Sequence, residues 1–346
     1  MTALNPPAYD FDRFIDGIDE AREPSLAFHP GMDFGAWRAA LLERVESLLG
    51  DLPALTGAEP EILESTDCGA YVQHKLVYET APDVWVPAWL LIPNTASPER
   101  PAAGILALHG HGDGKDPLVA RDDDPGNIYR SFARRYAERG HVVLAPDAIG
   151  FGERAEGFRR YGQRDGCNIN FMRALLFGIN LMALNIQDDK RALDILAALP
   201  EVDAGRLGCA GLSFGGTRTM YLGALDTRIR AAVVSGYLTT FRAYALDTGN
   251  FCGSQFLPGI YAYADVPDLH GLIAPRPLLI EAGRADRGFP IAASRDAHAR
   301  VAAIYAAAGV PERLERDEFD GGHEYRAEAS LDFMDRWLAP GSPAVS

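Results

Sequence analysis

Six short strand-like runs, most of them apolar, spaced by four stretches of helical periodicity and one long irregular connection, constrain this chain more than any other feature. They lie at residues 104–109, 141–146, 206–211, 231–235, 277–282 and 314–319. Runs such as GILALH, VVLAP and PLLIEA lack the polar alternation of a strand with one wet face, so they suit strands buried on both faces of a parallel sheet. Helical patterns at 127–139, 184–199, 214–225, 291–308 and 325–338 fall between and after them. Strand and helix therefore alternate, which predicts an α/β protein with a mostly parallel, doubly wound sheet.

The segment ahead of this pattern differs. Phe34, Trp37, Leu41, Val45, Leu48 and Leu49 recur at helical spacing from Asp33 onward, and Gly50 follows as a stop. The expectation is a helix outside the main core. Residues 61–93 read as antiparallel strands, with Pro87 marking an edge or a bulge. This divides the chain into an N-terminal helical extension, 1–60, and a main domain, 61–340. Two long connections, an insert at 150–182 and a loop at 236–271, are the lid and pocket candidates, because compact domains rarely keep such loops without a use for them.

A formal net charge of −15 argues against nucleic acid or an anionic membrane as partner, since both need clustered Lys and Arg. A small-molecule substrate fits better, and the composition leaves a homo-oligomer open. No basic stretch followed by an apolar one opens the chain, and no run of eighteen apolar residues occurs, so a cytoplasmic protein is expected. Cys68, Cys167, Cys209 and Cys252 are far apart and show no metal-ligand spacing, which predicts free thiols and no metal. No phosphate-binding glycine loop is present and no cofactor is expected.

The chemistry starts at GLSFGG, residues 211–216, between the run RLGCAG and a helical segment. A serine on a tight strand-to-helix turn is held above the sheet with its Oγ exposed, and side chains at Gly211 and Gly215 would collide across that turn. Serine attacks poorly unless a base takes its proton and a third group orients the base. In chain order the acid follows the serine and the histidine comes last. Asp286 sits just past the carboxyl end of the 277–282 strand, and His323 lies on a loop after the last strand, loosened by Gly321 and Gly322. Glu281, inside the strand, and Asp265 and Asp268 are the competing acids. The other histidines lie ahead of the sheet, at a strand start, mid-helix, before the serine or, for His270, just before Gly271, where it reads as structural. His111 and Gly112 in HGHGDGK, with Phe214 after the serine, are the expected backbone donors of an oxyanion hole.

Together with HGHGDGK, the runs APDAIGFGER, GLSFGG, NFCGSQFLPG, LIAPRPLLIEAGRADRGFP and GGHE resemble the dienelactone-hydrolase-related esterases of the α/β-hydrolase superfamily, in particular the acetyl xylan esterase-like branch. The resemblance spans roughly residues 93–338. It implies carboxylic-ester hydrolysis through an acyl-serine, with Ser213, Asp286 and His323 at the matching catalytic positions. Dienelactone hydrolases proper carry cysteine as nucleophile, and this elbow carries serine. The N-terminal elements and the insert after Gly152 resemble the larger esterase branch.

Arg154, Arg159, Arg160, Arg164 and Arg173 form a positive cluster in the insert. They either read an acidic substrate or pair with Glu153, Glu156 and Asp165 at the surface. Arg159, Arg160, Tyr237 and Phe256 are the candidate substrate contacts, and the cysteine of NFCGSQ reads as a buried small residue. Three functions compete: an esterase for a small acyl ester, with acetylated carbohydrate as one candidate; a hydrolase of the same fold acting on a lactone, a thioester or a C–C bond; and a non-catalytic binding protein that kept the fold.

Overall fold

In the computed structural model, residues 11–57, 59–121, 124–155, 166–250 and 252–342 are described. Nine strands form one sheet in the order β1-β2-β3-β5-β4-β6-β7-β8-β9. They are β1 (Glu61–Asp67), β2 (Tyr71–Ala81), β3 (Val84–Pro93), β4 (Ala102–Leu108), β5 (Val142–Pro146), β6 (Val202–Leu212), β7 (Ile229–Ser235), β8 (Leu278–Gly283) and β9 (Leu314–Phe319). The first three pair antiparallel, β3 joins β5 antiparallel, and the remaining pairs are parallel.

Both faces are covered, as the unbroken apolar runs require. Along β4, Ile105 and Ala107 join one core with Phe132 and Tyr136 of α3 (Phe132–Glu138), while Leu106 and Leu108 join the opposite core with Met182 and Ile186. Residue alternation along the strand thus feeds two cores. Helices α4 (Gly166–Leu175), α5 (Leu181–Ala198), α6 (Phe214–Leu225), α7 (Val266–Gly271), α8 (Ile291–Ala307) and α9 (Glu328–Trp337) complete the main layers. Each fully buried Leu, Ile or Val contributes roughly 1.5–3 kcal/mol, so burial on both faces holds the sheet between its two helical layers. Among the described residues no helix is long and apolar enough to cross a membrane.

Two expectations are corrected. Ahead of the sheet lie α1 (Phe11–Ala21) and α2 (Phe34–Leu49), the latter capped by the Asp33 side chain. Trp37, Leu41 and Val45 of α2 are buried within the larger core, so this helix belongs to the core rather than lying outside it. Its apolar stripe finds the sheet's helical layer near Gly271, against which the Trp37 ring packs. Pro87 sits in β3, an inner strand, and the edge is β1, exposed along its whole length. Proline is accommodated because pairing with β5 begins one residue later, at Ala88, and the Pro87 carbonyl accepts from the Asp147 N–H, 3.0 Å away, where β5 has ended.

The chain runs from β4 to β5 on one side, then crosses to β6 on the other. Loops after β4 and β6 therefore leave the sheet side by side at a topological switch point, where open α/β sheets place their ligands.

Candidate active site

Ser213 follows β6 directly and serves as the N-cap of α6, with φ 58° and ψ −120°. Such a conformation costs a non-glycine residue on the order of 1–3 kcal/mol and persists only where the surroundings over-determine it. They do so here. The Ser213 N–H donates to the Ser235 carbonyl at 2.9 Å, and the Thr217 N–H donates to the Ser213 carbonyl at 2.9 Å. A Cβ on Gly211 would lie 2.3 Å from the Gly215 carbonyl carbon, and one on Gly215 would lie 2.0 Å from the Leu108 oxygen. Backbone meets backbone at both points, so only glycine fits. Below the turn, Arg218 and Asp189 form an ion pair closed to solvent on both sides.

His323 and Asp286 come from the loops after β9 and β8. His323 Nδ1 is 2.7 Å from Asp286 Oδ2. The other carboxylate oxygen accepts the N–H groups of Gly288 and Phe289 at 2.9 and 3.0 Å. A carboxylate acceptor makes Nδ1 the protonated nitrogen and leaves Nε2 basic. Phe289 stacks on the imidazole with ring centroids 5.4 Å apart, which restrains its tilt. The competing acids are engaged elsewhere. Asp265 and Asp268 cap α7 and both pair with Arg300, while Glu281 is buried in β8 and accepts from the Arg326 N–H.

The loop after β4 is braced on several sides. His109 is fully buried; burial, and then the Arg218 charge, pull it well below the ordinary imidazole range, so it stays neutral. Its Nε2 accepts from the Ala148 N–H at 2.9 Å, tying the loop to the segment after β5. Lys115 reaches Asp147 and Glu153 at 2.9 and 2.6 Å. The Gly110 N–H donates to the Tyr129 hydroxyl at 3.1 Å, and that hydroxyl donates to the His111 carbonyl at 3.3 Å. Gly110 is thereby engaged, so His111 and Gly112 are the loop amides left to consider, beside that of Phe214 at the start of α6.

Ser213, His323, Asp286 and His111 line one cavity of about 670 Å³, together with Tyr129, Asn250, Cys252, Gln255, Arg287 and Phe289. A larger hollow of about 830 Å³ beside Arg130, Arg134 and Glu324 holds no nucleophile poised by a base, so volume does not identify the site. Tyr129, Asn250 and Arg287 escaped the sequence reading. Arg287 could have been found from its place beside Asp286, whereas nothing local marks Tyr129.

Other candidates lie elsewhere. Tyr237 is packed in the core against Tyr244, His270 and Phe289, away from the cavity wall. Phe256 borders a separate hollow formed with α1. Arg159, Arg160 and Arg164 lie outside the described residues. Arg154 pairs with Asp188 at 2.7 Å, on α5 and outside the insert, while Glu153 serves Lys75 and Lys115. The cysteine of NFCGSQ has a histidine neighbour: His111 Nε2 lies 3.0 Å from Cys252 Sγ. Hydrogen bonding from Cys167, opposed by burial and helped by His111, holds the Cys252 thiol below the ordinary thiol range.

Residues 14–333 match the model of the Abhydrolase family. YtaP of Bacillus subtilis, assigned as a hydrolase, is 27% identical over 312 residues, covering 87% of this chain and all of that protein. A Bacteroides fragilis protein assigned as an acetyl xylan esterase superposes with a TM-score of 0.76 at 20% identity, over 90% of this chain and 82% of the other. A glucuronoyl esterase from Solibacter usitatus gives 0.65 at 19%, over 91% and 97%.

Proposed function

Because the chain belongs to the Abhydrolase family, we propose that it hydrolyses carboxylic esters through an acyl-serine, with Ser213 as nucleophile, His323 as base and Asp286 as the acid that orients it. One observation carries this reading: a strained serine shares a cavity with an imidazole whose Nδ1 is fixed by a buried carboxylate. His323 Nε2 takes the Ser213 proton as Oγ attacks the ester carbonyl, then returns it to the leaving alcohol. Water repeats the sequence on the acyl-enzyme, and Asp286 stabilises the imidazolium in both halves. The amides of Phe214 and of His111 or Gly112 receive the negative charge that develops on the carbonyl oxygen.

The cavity holds a ligand the size of one sugar ester, and Asn250, Gln255 and Arg287 give it polar groups for hydroxyls. The named structural neighbours include esterases for acetylated xylan and for glucuronoyl esters. Both points favour an acylated carbohydrate. Ser213→Ala should fold with wild-type stability and lose nearly all turnover, and a fluorophosphonate should label Ser213 alone. A panel of acetylated sugars beside simple acetyl and longer-chain esters ranks the substrates by kcat/KM. Wild-type turnover in Ser213→Ala would end the proposal, and a preference for long acyl chains would end its carbohydrate part.

A further inference from the structure

The hydrolytic reading leaves one cluster of side chains at the cavity wall and just behind it unused. His111 Nε2, Cys167 Sγ and Cys252 Sγ lie within 4.8 Å of one another, and both cysteines are buried. Three separate parts of the chain deliver them: the loop after β4, the first turn of α4 and the connection after β7. Their convergence is fixed by other contacts. The Gly253 N–H donates to the Asn168 side-chain oxygen at 2.8 Å, which ties the residue after Cys252 to the residue after Cys167. The Cys252 N–H donates to Gln255 Oε1 at 3.1 Å, and Phe171 of α4 packs on Phe256 with centroids 5.9 Å apart. His111 is wedged between Phe151 and Phe214, at 5.2 Å from each. The three groups are thus held by packing that does not depend on their interaction with each other.

We propose that His111 Nε2, Cys167 Sγ and Cys252 Sγ bind one soft divalent cation of the zinc class. Zinc takes sulfur at about 2.3 Å and imidazole nitrogen at about 2.0 Å in a tetrahedron, which sets sulfur–sulfur and sulfur–nitrogen separations near 3.8 and 3.6 Å. His111 Nε2 and Cys252 Sγ lie 3.0 Å apart and all three atoms fall within 4.8 Å of one another, so displacements of about an ångström bring them to these separations. Both sulfurs bind as thiolates, and any thiol proton still present passes to solvent on binding. The product, one dication with two thiolates and a neutral imidazole, carries no net charge and suits a buried wall. A disulfide would use the two cysteines but gives no role to an imidazole directed at one of them. Two soft thiolates favour zinc, cadmium or cobalt over magnesium or calcium. His111 and Cys252 border the cavity, so the fourth coordination position opens toward the ester site, where water or a substrate oxygen fits. The proposal stands on this geometry alone and does not require the ester reading.

The test is a cobalt(II) titration of the reduced full-length chain under anaerobic conditions. One equivalent should produce a thiolate-to-cobalt charge-transfer band with tetrahedral visible absorption, and zinc should bleach it. Cys167→Ser and Cys252→Ser should each weaken binding at least about tenfold, with thermal unfolding followed to show that each variant is folded. Cys68→Ser and Ser213→Ala should keep the full band, separating this site from the nucleophile. If Cys252→Ser fails to fold, cadmium protection of wild-type Cys167 and Cys252 against alkylation gives the same answer. Absence of the band, its survival in both cysteine variants, alkylation unaffected by cadmium, or a Cys167–Cys252 disulfide that forms in place of the metal complex overturns the proposal.

Discussion

Glu281 offers a sharp test of how the sheet supports the His323 loop. It is wholly buried in β8 and accepts the N–H of Arg326, three residues after His323. Burial dominates and raises its carboxyl from 4.5 to about 7, against the opposing pull of the Arg326 amide and the Ser235 and Ser330 hydroxyls. The folded state therefore holds this proton more tightly than the unfolded chain does. Its contribution to stability is fully present below about pH 4.5 and is lost as pH rises through about 7. The rise from 4.5 to about 7, at 1.36 kcal/mol for each tenfold change in proton affinity, gives a loss of about 3 kcal/mol. Glu281→Gln keeps the shape and the amide acceptor but removes the titration. Urea unfolding of both proteins from pH 4 to pH 8.5 should show the wild type losing up to about 3 kcal/mol relative to the variant as pH rises. A difference between the two curves that stays constant with pH would refute the reasoning.

The remaining tests concern the reaction and its turn. Asp286→Asn should fold but lower kcat on the order of 10³–10⁴-fold, because the wrong imidazole nitrogen is then protonated; steady-state kinetics with a short acyl ester checks this, and a loss under tenfold would remove Asp286 from the mechanism. Gly215→Ala drives a Cβ to 2.0 Å from the Leu108 carbonyl oxygen, so chemical denaturation should show a cost of about 3 kcal/mol or more. If the insert reads substrate charge, Arg159→Ala, Arg160→Ala and Arg164→Ala should each lower kcat/KM for a carboxylate-bearing ester about tenfold to a hundredfold relative to its neutral analogue. Equal ratios in the wild type and all three variants would show that the insert does not read substrate charge.

The inner strands of the parallel half were legible because they have no wet face, whereas β9, LERDEF, is a half-buried edge strand marked only by its place in the alternation. Each of the six runs corresponds to a strand, and only the ends shift, as where β6 extends back to Val202 through a polar start. The turn at Ser213 was legible because its glycines answer a local steric demand. Contacts assembled by the fold were not. Nothing near Arg154 names Asp188, 34 positions away, as its partner. The same holds for His111 and Cys252, which are 141 positions apart: ligand spacing is a local signal, and this cluster has none. Helix α7 did leave a trace, since Asp265 caps it, Pro267 sits in its first turn and Asp268 closes a capping box. That signal was lost inside a connection read as loop. The membership of α2 in the core also depends on where its stripe lands, which periodicity does not tell.

The delivery of Ser213, Asp286 and His323 by β6, β8 and β9 has a consequence for how this molecule can be altered. With β7 between them, these strands are consecutive in one hydrogen-bonded sheet, spaced about 4.8 Å apart. The proposed reacting groups are thus mounted on a lattice, while the cavity wall at Gly249, Asn250, Cys252 and Gln255 is made by the connection after β7. Exchanging only the wall stretch from Gly249 to Gln255, while keeping Tyr237 and Tyr244 that back Phe289, would change the cavity surface and leave the proposed proton relay on its original mounts, which makes this stretch the place to diversify when a new ester preference is sought.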